Sequence, residues 1–95
     1  MGKARERRAA HRRAGSWSCH YCEKWFTKHE RRTITIDHVI PKALGGPNHA
    51  WNQVLCCPYC NIKKGDSTYE EFTGNERLPV QCWEHCMTTK EWLNG

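Results

Sequence analysis

Two Cys-x-x-Cys pairs constrain the fold of this chain more than any other feature: Cys19 with Cys22, and Cys57 with Cys60. Each turn places two thiolates on one edge of a tetrahedron, so two such turns complete a four-cysteine zinc site with Zn–S bonds of about 2.3 Å. Because four thiolates leave no open position, we expect this zinc to hold the fold and to take no part in chemistry.

The spacing of the cysteines also makes the choice of ligands specific. Between the pairs lie 34 residues, which predicts a strand, a loop and a second strand between the two halves of the site. Cys56 would leave three residues before Cys60, whereas Cys57 leaves two, so Cys57 is the preferred ligand. Cys82 and Cys86 are predicted to be buried on one helix face. A second metal site there is the less favoured alternative, because no clear fourth ligand is available.

The length of the chain favours a metal staple. A chain of 95 residues forms one domain at most and buries a modest core. No apolar run is long enough to cross a membrane, and no apolar stretch follows the basic N-terminus as in a secretory signal. We therefore expect a cytoplasmic protein without a membrane partner. Because the cytoplasm is reducing, its paired cysteines are expected to bind metal rather than to form disulfides.

Positive charge is concentrated in the first two thirds of the chain. Of the net charge of +5, residues 1–15 carry +5, residues 16–66 carry +3 and residues 67–95 carry −3. This distribution indicates a nucleic-acid binder, although a solvated charge run would explain the first segment equally well. We predict a flexible arm over 1–16, followed by a folded domain over 17–95. The arginines of the arm are candidate DNA contacts: Arg5, Arg7, Arg8, Arg12 and Arg13.

Two strands are predicted between the cysteine pairs. Thr33–Ile36 alternates polar and apolar residues over a β-branched run, which is typical of a strand. The glycines and proline within 42–49 predict a loop, and residues 51–55 are a candidate second strand.

Helices are predicted after the second strand. Pro58 suits the first position of a helix that runs to about Lys64 and stops at Gly65. Asp66 or Ser67 is predicted to cap a short helix that contains Tyr69.

The last predicted helix lies within residues 80–94. Its signal is the sequence Thr88-x-x-Glu91, which fits a capping box.

Asp37 and His38 follow the first strand and combine two useful chemistries. A carboxylate is a hard ligand suited to Mg²⁺ or Mn²⁺, and histidine side chains titrate near neutral pH, which suits a general base. Adjacent side chains at a strand end point in opposite senses unless the backbone turns, so the two residues can serve different roles. An isolated Asp-His pair is usually only polar surface.

Several further elements surround this pair in a fixed order: Asp37-His38-Val39-Ile40-Pro41, Gly45-Gly46, Trp51-Asn52 and Cys57-x-x-Cys60-Asn61-x-x-Lys64-Gly65. Together they resemble the HNH nuclease family in the form where asparagine replaces the last histidine. The resemblance covers about residues 17–66, and its four-cysteine subgroup implies an α+β, ββα-metal (His-Me finger) fold. Residues 67–95 would then form a helical extension.

The resemblance also implies residue roles. His38 would be the base that deprotonates water, and Asp37 and Asn61 would bind one catalytic divalent ion. Asn52 would hold the loop and orient the histidine. Asparagine at position 61 favours an oxygen-preferring ion, Mg²⁺ or Mn²⁺, although other divalent ions remain open. The implied products are a 5′-phosphate and a 3′-hydroxyl.

Lys63 and Lys64 are candidate phosphate contacts on the predicted helix, although Lys64 would equally suit a helix C-terminus. The expected substrate is duplex DNA, nicked or cut on both strands, with low sequence specificity.

Two other interpretations stay open. The chain would be a zinc-stapled DNA-binding module that cuts nothing, or an accessory nuclease subunit working with a phage terminase or portal component in a bacterial host cytoplasm. The acidic segment 67–95 would offer that partner a docking surface. No oligomeric state is predicted.

Overall fold

The computed structural model describes residues 18–27 and 29–95, with the side chain of Arg31 left out. The predicted arm over 1–16, with its five candidate arginines, and Trp17 lie outside the described residues. The chain divides into two compact units. The first unit comprises Met1–Asp37 and Val54–Lys63, and the second comprises His38–Gln53 and Lys64–Gly95.

A two-stranded antiparallel sheet is formed by β1 (Thr35–His38) and β2 (Gln53–Cys56). The predicted start of β1 at Thr33 is wrong, because Thr33 belongs to a 3-10 turn over Arg31–Thr33. Both its backbone N–H and its hydroxyl donate to the Glu30 carbonyl, at 2.8 and 2.6 Å, so local bonds hold it out of the strand. The strand also ends two residues later than predicted, so Asp37 and His38 lie within β1 rather than after it.

The second strand also begins later than predicted, at Gln53 instead of position 51. Ala50–Asn52 form a 3-10 turn in which the Asn52 N–H donates to the His49 carbonyl at 2.9 Å. All four residues of β2 are buried, the polar Gln53 as well as the three apolar residues that follow it.

The first helix, α1, spans Pro58–Lys64 and confirms the predicted bounds. Gly65 follows it with a left-handed φ of 51°, a conformation that glycine adopts without a Cβ penalty. Proline at the start and glycine after the end are local signals, which is why the sequence alone located this helix.

The second helix, α2 (Tyr69–Thr73), is capped by Thr68 and not by Asp66 or Ser67. Thr68 and Glu71 form a complete capping box, with hydrogen bonds of 2.9 and 3.0 Å. The Ser67 hydroxyl instead donates to the Lys64 carbonyl at the end of α1.

The third helix, α3 (Thr89–Asn94), is shorter than the segment predicted over 80–94. A 3-10 turn over Val80–Cys82 and an irregular stretch precede it. The Thr88 side chain accepts from the Glu91 N–H at 3.0 Å, as the capping signal predicts. The Glu91 carboxylate, however, accepts from the Met87 N–H at 2.8 Å, so the reciprocal half of the box is displaced by one residue.

Each unit has its own buried residues. Phe26, Ile34 and Leu55 are buried in the first unit, and Val39 and Ile40 are fully buried in the second. Cys82 and Cys86 are buried as predicted, also in the second unit, but a turn rather than a helix joins them, with the Cys86 N–H bonded to the Cys82 carbonyl at 2.9 Å. The α+β, ββα-metal class is confirmed. Within residues 18–27 and 29–95, no helix has the length and apolar character to cross a membrane.

Candidate metal centres and catalytic residues

The four predicted zinc ligands come together in the first unit. The Sγ atoms of Cys19, Cys22, Cys57 and Cys60 all lie within 4.8 Å of one another. A tetrahedral ion with Zn–S bonds of about 2.3 Å requires sulfur–sulfur separations of about 3.8 Å. The Sγ atoms of Cys22 and Cys57 are 3.8 Å apart, so the cluster fits zinc.

Burial and hydrogen bonds shift the thiol pKa values of the clustered and neighbouring cysteines in different directions. Burial acts to raise the pKa of Cys19, but backbone hydrogen bonds from Cys22, Cys57 and Tyr21 outweigh it and lower this pKa to about 7. Burial raises the pKa of Cys56 well above its ordinary value, and it raises that of the clustered Cys60 as well, so these pKa values do not distinguish a ligand from its neighbour. The Cys56 thiol donates to the Cys57 carbonyl at 3.3 Å, and the cluster contains Cys57 but not Cys56, as the spacing predicts.

Asp37, the predicted carboxylate ligand, is buried in the first unit at 5 % exposure. The hydroxyl of Tyr21 donates to its Oδ2 atom. Tyr21 lies between the cysteines of the first pair, so the turn that holds the zinc ligands also delivers a hydrogen bond to this carboxylate. The sequence reasoning did not identify Tyr21, because no motif marks a contact across 16 residues.

Asn61, the predicted amide ligand, lies on α1 in the first unit and is half-buried. Its Nδ2 atom donates to the Thr35 hydroxyl oxygen at 2.9 Å. Thr35 also escaped the sequence reasoning, since a threonine in a strand carries no functional signal of its own.

His38, the predicted base, is half-buried at the end of β1 and belongs to the second unit. Its Nε2 atom lies 2.6 Å from Oδ1 of Asn48, in the loop after Gly46. An amide oxygen only accepts hydrogen bonds, so Nε2 is the donor in this contact, and in the neutral imidazole Nδ1 is then the nitrogen that carries the lone pair. Asn48 was not predicted, because the loop signals around it indicate only a turn.

Asn52 is fully buried and organises the loop that carries Asn48. Its Oδ1 accepts from the Ile40 N–H at 2.8 Å, and its Nδ2 donates to the carbonyls of Ile40 and Pro47 at 3.0 Å each. The predicted loop-holding interaction is therefore present in the geometry. The side chain that contacts the His38 imidazole, however, is that of Asn48.

Gly46 is required by the same loop. A Cβ at this position would lie 1.8 Å from the Ile40 carbonyl oxygen, and the Gly46 N–H donates to the Pro41 carbonyl at 3.0 Å. The backbone approaches too closely for any larger residue, which explains the second glycine of the Gly45-Gly46 pair.

The two candidate lysines differ in position. Lys63 is exposed in the first unit, with its Nζ 5.3 Å from the Tyr59 ring centroid. Lys64 belongs to the second unit, is 2 % exposed, and donates from its Nζ to the His38 carbonyl at 3.0 Å. This burial does not suit the phosphate contact predicted for Lys64, because its ammonium is held on the backbone of the candidate base.

Comparison with known proteins identifies the family. The family model described as HNH endonuclease matches residues 19–76, which is more than half of the chain. A search of curated proteins finds no match. The matched segment contains the four cysteines of the cluster together with Asp37, His38, Asn52 and Asn61. The chain therefore belongs to the HNH endonuclease family of nucleases.

Proposed function

We propose that this protein is a metal-dependent DNA endonuclease in which His38 is the general base. The contact between His38 Nε2 and Asn48 Oδ1 is the observation that carries this assignment. It holds the proton on Nε2 and leaves Nδ1 able to take a proton from an attacking water molecule. The Lys64 ammonium on the His38 carbonyl holds the backbone of the same residue.

Asn52 acts on His38 through the loop. It bonds the Pro47 carbonyl, and Asn48 is the next residue along the chain. A fixed Pro47 places Asn48 where its amide oxygen meets the imidazole. In this proposal Asn52 is a positioning residue, and Asn48 directly orients the base.

Asp37 and Asn61 are the proposed ligands of the catalytic divalent ion. Both lie in the first unit and both offer oxygen atoms, the donor type that Mg²⁺ and Mn²⁺ prefer. The Tyr21 hydroxyl keeps the Asp37 carboxylate in one orientation. Asp37 and Asn61 would hold the ion, which would supply charge neutralisation at the departing 3′ oxygen; the expected products are a 5′-phosphate and a 3′-hydroxyl.

Lys63 is the proposed phosphate contact among the described residues, because it is exposed and lies on the helix that carries Asn61. The arginines of residues 1–16 are proposed as further phosphate contacts. Residues 17–95 are the proposed nuclease domain, and the proposed location is the cytoplasm. Contacts to phosphate alone imply low sequence specificity. Among the described residues nothing favours a terminase or portal component, so the proposed partner is DNA alone.

The test is cleavage of supercoiled plasmid by zinc-loaded protein, with Mg²⁺, with Mn²⁺ and with neither ion. We expect cutting only with a divalent ion, and a loss of about 100-fold or more in the cutting rate of His38→Ala. His29→Ala is the matched control, since His29 is an exposed histidine of the first unit. DNA binding of His38→Ala, measured by fluorescence anisotropy, should stay close to that of the wild type.

Two results would contradict the proposal. Cutting by His38→Ala at the rate of the His29→Ala control would exclude His38 as the base. Tight duplex binding by the wild type without cutting in either ion would identify a DNA-binding module.

A further inference from the structure

Thr35 connects the proposed metal ligand Asn61 to the backbone of β2 by two consecutive hydrogen bonds. The Asn61 Nδ2 atom donates to Thr35 Oγ1 at 2.9 Å, and the Thr35 hydroxyl donates to the Cys56 carbonyl at 2.7 Å. All three residues belong to the first unit. Thr35 is half-buried, so both hydrogen bonds are partly shielded from water.

The hydrogen bond from Thr35 to the Cys56 carbonyl determines the direction of the hydrogen bond between Thr35 and Asn61. A threonine hydroxyl has one proton, and a backbone carbonyl can only accept. Because the Thr35 proton is used on the Cys56 carbonyl, Oγ1 can only accept from Asn61. The amide of Asn61 must therefore turn its NH₂ group toward Thr35 and its Oδ1 atom away from it.

The orientation of this amide matters for binding a cation. An asparagine amide is nearly symmetric in shape, and rotation by about 180° exchanges an oxygen acceptor for an NH₂ donor. Only the oxygen can bind a cation, since the NH₂ group presents positively polarised hydrogens. If the amide has no fixed partner, a part of the molecules turns the NH₂ group toward the cation, and the apparent affinity for the cation falls accordingly.

We propose that Thr35 is a positioning residue that selects the Oδ1 atom of Asn61 as the ligand of the catalytic ion. This inference rests on the proposed function, which places that ion on Asp37 and Asn61. The threonine acts through Asn61 and touches neither the ion nor DNA. The chemical signature of the role is a hydroxyl at position 35, independent of the shape of the side chain.

The experiment measures Mn²⁺ affinity of zinc-loaded full-length protein by isothermal titration calorimetry without DNA. Thr35→Val keeps the shape and removes the hydroxyl, and we expect about a tenfold weaker affinity, the usual scale for losing an outer hydrogen bond. Thr35→Ser keeps the hydroxyl and should bind Mn²⁺ within about twofold of the wild type. Zinc content and thermal midpoint are measured for each variant as checks of the fold.

Asn61→Ala separates this inference from the proposed function. If Asn61→Ala binds Mn²⁺ like the wild type, the assignment of Asn61 as a ligand is wrong. If Asn61→Ala weakens binding but Thr35→Val does not, the ligand assignment stands and the role of Thr35 is overturned.

A double variant tests whether Thr35 acts through Asn61. In the Asn61→Ala background, Thr35→Val should cause no further loss, because the amide that it orients is absent. An equal loss in both backgrounds would show a general structural effect and would overturn the proposal.

A measurement on the wild type covers the case in which Thr35→Val loses zinc or fails to fold. In ¹⁵N NMR spectra without Mn²⁺ or Mg²⁺, the side-chain NH₂ protons of Asn61 should exchange with water more slowly than those of the exposed Asn94. Addition of Mg²⁺ should then change the ¹³C chemical shift of the side-chain carbonyl of Asn61, while its NH₂ protons stay protected from exchange with water. Exchange at the rate of Asn94 would contradict the hydrogen bond and overturn the proposal.

Discussion

The two units use polar side chains in different ways. In the first unit, side chains bond to one another: Tyr21 to Asp37, and Asn61 to Thr35, beside the four-cysteine cluster. In the second unit, Asn52 and Lys64 bond to backbone atoms that shape the chain around His38, and the His38 imidazole itself contacts the Asn48 side chain. The difference is the one expected if the first unit binds ions, as proposed, and the second unit holds a strand end and a loop in one conformation.

The largest effect should come from the cysteine cluster, because metal binding supplies folding free energy on the order of 10 kcal/mol in structural zinc sites. We expect Cys57→Ser to lose bound zinc and the fold of the first unit. Cys56→Ser is the matched control, since Cys56 is also buried but lies outside the cluster. Metal analysis by mass spectrometry and circular dichroism measure the two outcomes, and zinc loss in the control alone would contradict the ligand choice.

The second unit should be most sensitive at Asn52. Removing this side chain leaves two carbonyls and one N–H without their partners in a fully buried site. We expect Asn52→Ala to lower the free energy of unfolding by about 3 kcal/mol, measured by urea denaturation, with zinc content unchanged. Asn94→Ala, at an exposed position, is the control. Loss of zinc from Asn52→Ala would contradict the separation of roles between the units.

Lys63 and Lys64 are neighbours in the sequence, but substitution should affect stability at Lys64 and DNA binding at Lys63. Lys64→Met removes a buried hydrogen bond from a charged donor, and we expect a loss of about 2 kcal/mol in unfolding free energy. Lys63→Met should leave stability unchanged and reduce the salt dependence of DNA affinity by about one phosphate contact. Denaturation and anisotropy at several salt concentrations test the pair, and a reversed pattern would refute the assignment.

The smallest effect is expected at the cap of α2. Thr68→Ala removes the side-chain acceptor for the Glu71 N–H and should cost about 1 kcal/mol. The backbone N–H of Thr68, with its hydroxyl, lowers the pKa of Glu71. A carboxyl group with a lowered folded-state pKa stabilises the fold above its unfolded pKa and stops doing so as the pH falls through the folded value. Thr68→Ala keeps this backbone N–H, so both proteins should lose stability in acid and the difference between them should change little with pH. A difference that vanishes in acid would contradict the role of the Thr68 hydroxyl as the acceptor for the Glu71 N–H.

The features that the sequence predicted correctly depend on neighbours along the chain. The choice of Cys57 over Cys56 follows from a two-residue spacing, and α1 from a proline and a glycine at its ends. The start of β1 was missed by two residues, because Thr33 bonds Glu30 instead of a strand. Alternation of residue types does not show such a competing local hydrogen bond.

The hydrogen-bond partners of the candidate site residues lie far from them in the sequence. Asn48 meets His38 across 10 residues, and Thr35 meets Asn61 across 26. Asparagine and threonine are common in loops and strands, so their types alone indicate no role. Only the folded chain shows that Asn48 contacts the imidazole of His38 and that Thr35 accepts a hydrogen bond from the amide of Asn61.

By itself, the sequence determined the four-cysteine cluster, the fold class and the family, because thiol spacing and motif order are properties of the chain. The tertiary structure decided which side chains hold His38, Asp37 and Asn61, and it placed Lys64 inside the second unit. The physical reason is that metal ligation tolerates few spacings between ligand residues, so a short stretch of sequence is enough to predict it. A hydrogen bond instead depends on a distance of about 3 Å between atoms that only folding brings together.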